Sequence, residues 1–434
     1  MSLRNYLKVL DQRGELLHIS KPISKNLQLA GVLKACEPQR VLFEQVQGSD
    51  FPVMGNLVCS KAHLADYLGI PIQQIIPALM NAIENPSQPG LTRNAPCQEV
   101  VFEKPDLDAL PIPMHFPADG GPYISAGVMV AGHPQHGQNL DFHRLMQISK
   151  TEMAVRVVKG RHFDAFLEEL GQVNVAICIG VSPNVLIAAA TSVALGQNEL
   201  EIANTLKPIQ VTRALTSDLL IPAESEFVIE GTIYRDRRHA EGPFVDLTET
   251  QDVVRSEPVL VVSAISHRKD AIWHALLPGA LEHKLLMGSP REPTILREVS
   301  KVCDCLDVHI NPGGCSWLHA IVQIRKKHAD DGKHAIEAAF RGHRSCKHVF
   351  VVDEDVDIYN PLAVEWAMAT RFQVDQDLYT FPREPGSSLD PSAEAGTHAT
   401  CRAGFDLTKP LEVAGKGFDK VPYPPVNLDD FLGQ

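Results

Sequence analysis

The fold is decided by the stretch Asn139–His162, NLDFHRLMQISKTEMAVRVVKGRH, in the first half of the chain. Residues 139–148 alternate short apolar and polar side chains, and 152–158 are rich in Val and Met, so two strands joined by a polar turn at 149–151 are predicted. A strand pair built only for packing would not carry so many polar groups. They are either the solvated outer face of a sheet or a functional site, and the rest of the chain favours a site. The side chains concerned are Asn139, His143, Arg144, Arg156 and Arg161.

The composition is that of an ordinary globular protein. At 434 residues, with 44% hydrophobic and 21% charged residues, the chain can form several domains that each have a core. A net charge of -13 argues against a nucleic-acid partner, so the local arginines indicate a small anion. The nine scattered cysteines, and an N-terminus MSLRNYLKVL without the apolar segment of a signal peptide, predict a cytoplasmic protein with reduced thiols.

One segment, Val173–Leu195, is apolar over nearly the length that a bilayer requires. The Ser-Pro-Asn sequence at 182–184 divides it into a strand and a helix that are each too short to cross. We therefore expect two buried core elements and no membrane partner.

The predicted fold is a mixed α/β (α+β) multidomain protein. Helices and strands alternate over 1–115, an N-terminal α/β domain, and the Pro- and Gly-dense segment 105–122 marks a linker or a long crossing loop. Strands dominate the central domain, 116–310, which is typical of a barrel or a strongly bent sheet. Helices and strands alternate again in a predicted C-terminal α/β domain, 311–434. Helices are also predicted near 163–170, 199–206 and 428–432.

Three carboxylates outside the opening stretch are candidate site residues. Glu199 begins a predicted helix, where an acid is favourable for the helix dipole whether or not it has another role. Glu241 and Asp246 flank a Gly-Pro turn in EGPFVD. Loop acids are usually solvated, but Phe244 and Val245 in the same turn indicate that part of it is buried.

Taken together, these motifs resemble the UbiD family of decarboxylases, which use prenylated FMN (prFMN). The resemblance covers essentially the whole chain, with the motifs in the order and near the spacings of the family. Each motif is weak by itself, whereas the set is specific. The motifs are GGPYIS at 120–125, Asn139 followed by Arg144 and His162, Glu199, IEG at 229–231, EGPFVD at 241–246, VVDEDVDIYNPLAVEWAMATR at 351–371 and RAGFDLT at 402–408.

The resemblance implies a cofactor site. Asn139, His162 and Glu199 would be the protein ligands of a divalent cation, and oxygen and imidazole ligands without thiolate suit Mn²⁺ or Mg²⁺. A K⁺ ion would lie beside it. Arg402 stands where the family usually has Lys, and its planar fork differs from an ammonium group. The other implied prFMN-binding residues are Phe142, His143, Arg144, Arg156, Val157, Val158 and Arg161.

The resemblance also implies the catalytic group Arg144, Glu241 and Asp246. Loss of CO₂ from an unsaturated or aromatic acid leaves electrons that no side chain can accept, so a cofactor must act as the sink. Arg144 would hold Glu241 and orient the substrate carboxylate, while protonated Asp246 would deliver H⁺ to the carbon that lost CO₂. Further implications are a flavin prenyltransferase as cofactor supplier and a homodimer or higher oligomer formed through the C-terminal domain.

Two other functions remain open. The barrel-like middle resembles flavin-reductase folds, so a central split β-barrel of that type is expected and an FMN-dependent oxidoreductase is an alternative. A non-catalytic prFMN-binding protein is the second. Hydride transfer needs neither the cation ligands nor the acid pair, and the complete Arg144, Glu241 and Asp246 set argues against loss of catalysis.

The substrate is the least determined part of the prediction. A small aromatic, heteroaromatic or α,β-unsaturated carboxylic acid is expected. The candidate pocket walls are mostly compact or polar, which favours a small aromatic acid, but each could equally be a core residue. They are His274, Trp317, Leu318 and His319.

Overall fold

The computed structural model describes residues 1–412, 417–427 and 430–431. The predicted helix at 428–432 therefore lies largely outside the described residues. No described helix has the length and hydrophobicity needed to span a membrane. The helices are α1 Leu3–Gln12, α2 Gln28–Cys36, α3 Lys61–Leu68, α4 Ile75–Glu84, α5 His162–Leu170, α6 Pro183–Ala189, α7 Glu199–Leu206, α8 Leu281–Gly288, α9 Glu292–Val299, α10 Asp331–Gly342 and α11 Pro361–Arg371.

The strands fall into three main sheets and several two- and three-stranded ones. They are β1 Leu16–Ile19, β2 Ile23–Ser24, β3 Arg40–Phe43, β4 Val46–Gln47, β5 Val53–Gly55, β6 Gly90–Leu91, β7 Val100–Val101, β8 Tyr123–Ile124, β9 Val128–His133, β10 Gly137–Phe142, β11 Leu145–Gln147, β12 Glu152–Val155, β13 Gln172–Ile179, β14 Gln210–Arg213, β15 Leu220–Pro222, β16 Phe227–Glu241, β17 Phe244–Val245, β18 Gln251–Asp252, β19 Arg255–His267, β20 Trp273–His274, β21 Asp304–Ile310, β22 His319–Arg325, β23 His348–Asp353, β24 Leu378–Thr380, β25 Glu384–Pro385, β26 Ala399–Thr400 and β27 Ala403–Asp406.

The N-terminal sheet has the order β1-β3-β5-β20. Helix α1 begins after the capping residue Ser2, whose side chain accepts a hydrogen bond from the Asn5 amide, and its apolar stripe is buried. Strand β20 enters this sheet from the predicted central domain, and Trp273 on it is fully buried. The N-terminal and central segments therefore share a core.

The central sheet has the order β10-β9-β13-β16-β19-β12-β11-β8, with β7 pairing β19. Strands β10 and β11 stand near opposite ends of this order, yet only His143 and Arg144 separate them in the chain. Phe142 and Leu145 are three Cα steps apart, which is at most about 11 Å. The two ends of the sheet therefore approach each other here, so the sheet is strongly bent. Its closure into a split barrel stays a prediction.

The C-terminal sheet has the order β21-β22-β23-β27-β24 and packs against α9 and α10. Its first strand, β21, lies before residue 311, within the segment 116–310 that was predicted to be the central domain. Asp353 and Asp355 at the end of β23 pair with Arg371 at 3.0 and 2.6 Å. The mixed α/β multidomain class is confirmed, and the three domain boundaries stay predictions.

The apolar stretch Val173–Leu195 forms strand β13 and helix α6, separated near Ser182. Every residue of α6 is buried. Strand β13 lies between β9 and β16 in the central sheet. Its alternate side chains pack into two different buried clusters, Ala176 and Cys178 in one and 175, 177 and 179 in the other, which explains its continuous run of apolar residues.

Candidate active site

The opening stretch folds into three strands rather than two. Strand β10 pairs with β9 and carries Asn139 opposite Ala131, whereas β11 pairs with β12 and β8. The chain leaves the sheet at His143 and Arg144, between these strands. Strict alternation would put Asn139 and Arg144 on opposite faces of one strand. The interruption removes that constraint, because the two residues belong to differently paired segments.

The guanidinium of Arg144 is the centre of a charge cluster. Its Nε and Nη2 donate to the two carboxylate oxygens of Glu241 at 2.9 and 3.0 Å, and its Nη1 donates to Asp246 at 2.6 Å. Glu241 is fully buried, while the Asp246 side chain is 18% exposed. Burial alone would lower the pKa of Arg144, but Glu241, Asp246 and Asp252 raise it. The predicted catalytic residues therefore lie in direct contact.

Local chain geometry explains how the two acids meet. Glu241 is the last residue of β16, and Gly242 follows with φ +97°, a conformation that side chains rarely tolerate. Gly120 approaches so closely that a Cβ there would lie 2.2 Å from the Gly242 carbonyl oxygen. The turn then brings β17 and Asp246 back over Arg144. Glycine at 120 and 242 thus allows the tight packing that joins EGPFVD to the strand break.

Sequence reasoning missed four members of this cluster. Asp252 accepts from Arg144 Nη2 at 2.9 Å and from Arg255 Nη1 at 2.5 Å. Burial would raise the pKa of Asp252, but Arg255 and Arg144 hold it below its ordinary value. The Tyr123 hydroxyl donates to Glu241 at 3.0 Å, and the Arg144 guanidinium lies 4.6 Å from the Phe244 ring centre.

Only part of this omission was avoidable. Tyr123 belongs to the GGPYIS motif and Phe244 to EGPFVD, so both were visible in the sequence without a role. Asp252 and Arg255 lie outside every recognised motif. Asp252 reaches Arg144 because β18 pairs with β17, and Arg255 reaches Asp252 from β19, where it lies opposite Glu241. No local pattern indicates either pairing.

A second group brings together Asn139, His162 and Glu199. His162 Nδ1 lies 3.1 Å from Asn139 Oδ1, and a Glu199 carboxylate oxygen accepts from the Leu140 amide at 2.8 Å. The Asn139 amide nitrogen is buried without a hydrogen-bond partner in the structure. Glu199 is 3% exposed, and burial raises its pKa to about 8. A buried acid that has no cationic partner among the described residues, beside an imidazole and an amide, fits a divalent cation.

The remaining predicted cofactor residues lie around these two groups, with one exception. His143 lies 2.8 Å from the Arg156 carbonyl oxygen and 3.0 Å from Asp141, and Arg156 pairs with Glu257 at 2.9 Å. Phe142 ends β10 and is partly buried. Arg402 instead precedes β27 in the C-terminal sheet and pairs with Glu384 at 2.5 Å. Of the others, Val157 is buried, Val158 is exposed and Arg161 is the N-cap residue of α5.

The candidate pocket-wall residues have protein partners. His274 Nε2 lies 3.1 Å from Glu282, and His319 Nε2 lies 2.9 Å from His348 Nδ1. The Trp317 indole donates to Ser387 at 3.0 Å. Leu318, which lies between Trp317 and His319 in the sequence, is partly buried. His274 and Trp317 are thus held in the interior by hydrogen bonds, as core residues would be.

A third cluster, His133, His136 and Glu169, has donor atoms within 4.8 Å of one another. His133 Nδ1 accepts from the backbone amides of Gln135 and His136 at 3.1 and 3.3 Å. The proton of the neutral ring must therefore be on Nε2, which faces Glu169 at 3.4 Å. A protonated nitrogen cannot bind a metal, so this cluster is a histidine–carboxylate contact.

Comparison with known proteins identifies the family. Three family models match consecutive segments: 3-octaprenyl-4-hydroxybenzoate carboxy-lyase N-terminal domain over 7–83, Rift-related domain over 91–281 and C-terminal domain over 284–407. Together they cover most of the chain. The protein therefore belongs to the UbiD family of carboxy-lyases, as the sequence motifs predicted.

Individual relatives align over the full length. An anhydromevalonate phosphate decarboxylase from Methanothermobacter thermautotrophicus is 39% identical, covering 95% of this chain and 98% of that protein. The UbiD-class enzyme HmfF from Pelotomaculum thermopropionicum, solved in complex with FMN, is 34% identical with a TM-score of 0.96 and full coverage of both chains. An evolved dimeric form of HmfF in complex with prFMN is 33% identical, with a TM-score of 0.91 over 99% of this chain and all of that one.

Proposed function

We propose that this protein is a prFMN-dependent decarboxylase of an α,β-unsaturated acid that carries a phosphate group, with anhydromevalonate phosphate as the first substrate to test. The main observation in support of this chemistry is that the Arg144 guanidinium nitrogens donate hydrogen bonds of 2.6 to 3.0 Å to the carboxylate oxygens of Glu241 and Asp246. The substrate class is supported by the 39% identical relative of that name. Mevalonate is a β-hydroxy acid, so removal of water leaves an α,β-unsaturated acid. This is one of the three classes that the sequence left open, and it replaces the weaker preference for an aromatic acid.

The residues present fit the cofactor and its cations. Glu199, Asn139 and His162 would hold Mn²⁺ or Mg²⁺, with K⁺ beside it, and the buried, cation-free carboxylate of Glu199 supports this assignment. Arg156 and the backbone near Phe142 and Val157 would complete the cradle. When bound, prFMN supplies the electron sink that decarboxylation requires. The role of Arg402 in cofactor contact stays a prediction, because its partner here is Glu384.

The charge balance of the cluster supports a single transferable proton. Three carboxylates meet two arginines, Arg144 and Arg255, which leaves one net negative charge when all are ionised. Glu241 accepts from Arg144 twice and from Tyr123, and Asp252 is held between both arginines. Ionised oxygens suit these contacts best. Asp246 is the most exposed of the three, so it is the acid best placed to exchange a proton with solvent and is the proposed proton donor.

The reaction follows from this arrangement. The substrate carboxylate lies against the Arg144 side of the cluster, and the bond between that carboxylate and the adjacent carbon breaks to release CO₂. The electron pair left on carbon then takes the proton from Asp246, which solvent restores through its exposed edge. Arg144 holds both acids in position through its hydrogen bonds to them. The reverse sequence would carboxylate the product.

Other predictions carry over as proposals. A flavin prenyltransferase would supply the cofactor, and a homo-oligomer would form through the C-terminal segment. A dimeric form is known for HmfF. An FMN-dependent oxidoreductase is disfavoured because hydride transfer has no use for three carboxylates around one arginine.

The test uses protein co-expressed with a flavin prenyltransferase. Bound flavin is identified by its mass, and CO₂ release is measured with anhydromevalonate phosphate, its dephosphorylated acid and a panel of small aromatic acids. Release from the phosphorylated acid at the highest kcat/KM supports the proposal. Release from aromatic acids alone would restore the original substrate preference. Unmodified FMN that oxidises NAD(P)H would favour the reductase.

A further inference from the structure

A tight turn, 246–250, carries the proposed proton donor Asp246. The Asp246 amide donates to the Thr250 carbonyl oxygen at 3.1 Å, and the Glu249 amide donates to the Asp246 carbonyl oxygen at 2.8 Å. The Leu247 amide donates to Asp246 Oδ1 at 2.7 Å, while Asp246 Oδ2 accepts from Arg144 at 2.6 Å. The carboxylate is therefore fixed to the backbone of the turn. A displacement of the turn would change the position of Asp246 against Arg144.

The turn packs against the loop that leads into α8. A Cβ atom at Gly279 would lie 3.1 Å from the Asp246 carbonyl oxygen and 3.0 Å from Glu249 Cγ, so the absence of a side chain there permits this close approach. Gly279 also has φ +72°, a conformation that favours glycine. The turn that holds Asp246 and the entrance to α8 are thus in direct contact.

An ion pair joins the same two segments. Lys284 on α8 has a side chain that is only 11% exposed, and its Nζ donates to a carboxylate oxygen of Glu249. Lys284 pairs with no other acid among the described residues, so Glu249 is the acid that balances a largely buried cation. Glu249 itself has φ +60°, a conformation that side chains other than those of Asn and Asp rarely adopt. Such a backbone is kept only where surrounding contacts hold it, and the pair with Lys284 is one of these contacts.

We propose that Glu249 and Lys284 are positioning residues for the decarboxylation, because their ion pair holds the turn in the place where Asp246 meets Arg144. The inference rests on the proposed function, since it takes Asp246 as the proton donor. The pair acts through the backbone of the turn and not on the substrate. A small misplacement of a reacting group is enough to slow a reaction strongly. Loss of the pair should therefore lower kcat, with little change in the binding of substrate or flavin.

The experiment compares wild type with E249Q, and with the charge-swapped E249K/K284E beside its two single variants, all co-expressed with the prenyltransferase. The substrate is the acid of the panel above that wild type decarboxylates fastest. The Glu249 side chain is 52% exposed, so E249Q should fold. We expect its kcat to fall about tenfold, with KM and flavin content near the wild-type values. The solvent deuterium isotope effect on kcat should rise, because proton delivery is the slowed step. The charge swap should recover most of the kcat that each single variant loses.

Two kinds of control accompany these variants. E298Q removes an acid that pairs with Lys301 at 2.6 Å on the C-terminal side of the chain, and it should leave kcat unchanged. G279A and G69A test the contact without altering a charge. Both glycines have a left-handed φ, +72° and +77°, but nothing lies within 4 Å of a Cβ at Gly69. Both variants should lose stability, whereas only G279A should also lower kcat and raise the isotope effect.

Each other outcome overturns the inference in a recognisable way. An unchanged kcat in E249Q would mean that the ion pair does not position Asp246. A charge swap as slow as its single variants would show that the attraction between the two side chains is not what matters. A higher KM or a loss of flavin, at a constant isotope effect, would assign the pair to binding. Failure of wild type on every acid, or full activity in D246N, would instead refute the proposed function.

Discussion

Arginines in two regions of this molecule differ in whether nearby acids balance their positive charge. Arg144 is enclosed by Glu241, Asp246 and Asp252, so its charge is balanced within the protein. Arg161 and Arg291 form no ion pair with an acid among the described residues. A nearby ionised carboxylate offsets the cost of holding an arginine in the protein, whereas an unpaired cation is stabilised by solvent or by an added anion. The positive charge of Arg144 is thus balanced within the protein, and that of Arg161 and Arg291 is not balanced by the described acids.

The largest loss of activity is expected when the acid that balances the charge of Arg144 is removed. E241Q keeps the size of the side chain but removes the charge that Arg144 grips from two sides. We expect kcat to fall by about 10³-fold or more, with flavin still bound. CO₂ release and flavin absorbance measure the two effects.

The control for this change is E226Q. Glu226 is also fully buried and accepts two hydrogen bonds from one arginine, Arg4, near the N-terminus. E226Q should lower stability while leaving the kcat of folded enzyme unchanged. Retained turnover in E241Q, or an equal loss of kcat in E226Q, would contradict the assigned role of Glu241.

Glu199 is the opposite case, a buried acid that forms no ion pair with a cation among the described residues. E199Q should weaken divalent-metal binding by about 100-fold and reduce flavin content with it. Metal analysis after dialysis and flavin-to-protein ratio are the measurements. E201Q, on the exposed side of the same helix, is the control. Treatment of wild type with a chelator should reproduce the E199Q result, and metal content that is equal in both variants would refute the site.

The sequence predicted the members of these groups better than their connections. Local patterns were sufficient for the helices near 163–170 and 199–206 and for the division of Val173–Leu195, because each depends on neighbours in the chain. The family motifs named Arg144, Glu241 and Asp246, and the structure brings them together. Asp252 and Arg255 were missed because strand pairing, not spacing, places them. The break at His143 and Arg144 was missed for the same reason, since it depends on the bent sheet.

Asp252 tests how complete the balance around Arg144 must be. D252N leaves Glu241 and Asp246 in contact with Arg144 but removes the acid shared with Arg255. We expect kcat to fall by about tenfold, because a second positive charge is then uncompensated beside the proton donor. Steady-state rates measure this loss. D218N removes the exposed partner of Arg213 and should have no effect. A loss as large as that of E241Q would mean that Asp252 is as important to the reaction as Glu241.

The smallest effect is expected at His143, where one cation meets one acid. Burial would lower the pKa of His143, but Asp141 and the Arg156 carbonyl raise it above its ordinary value. Its stabilising contribution is therefore complete below about pH 6.5 and is lost as pH rises through the higher pKa of the folded state. H143Q should cost about 1–2 kcal/mol of unfolding free energy at pH 6 and less at pH 9.

Denaturant unfolding at the two pH values measures this difference, with the exposed H239Q as control. An H143Q deficit that grows with pH would show that the neutral ring is the stabilising form. His143 would then be a neutral donor rather than a cation, and it would not count among the cations whose charge is balanced by an acid.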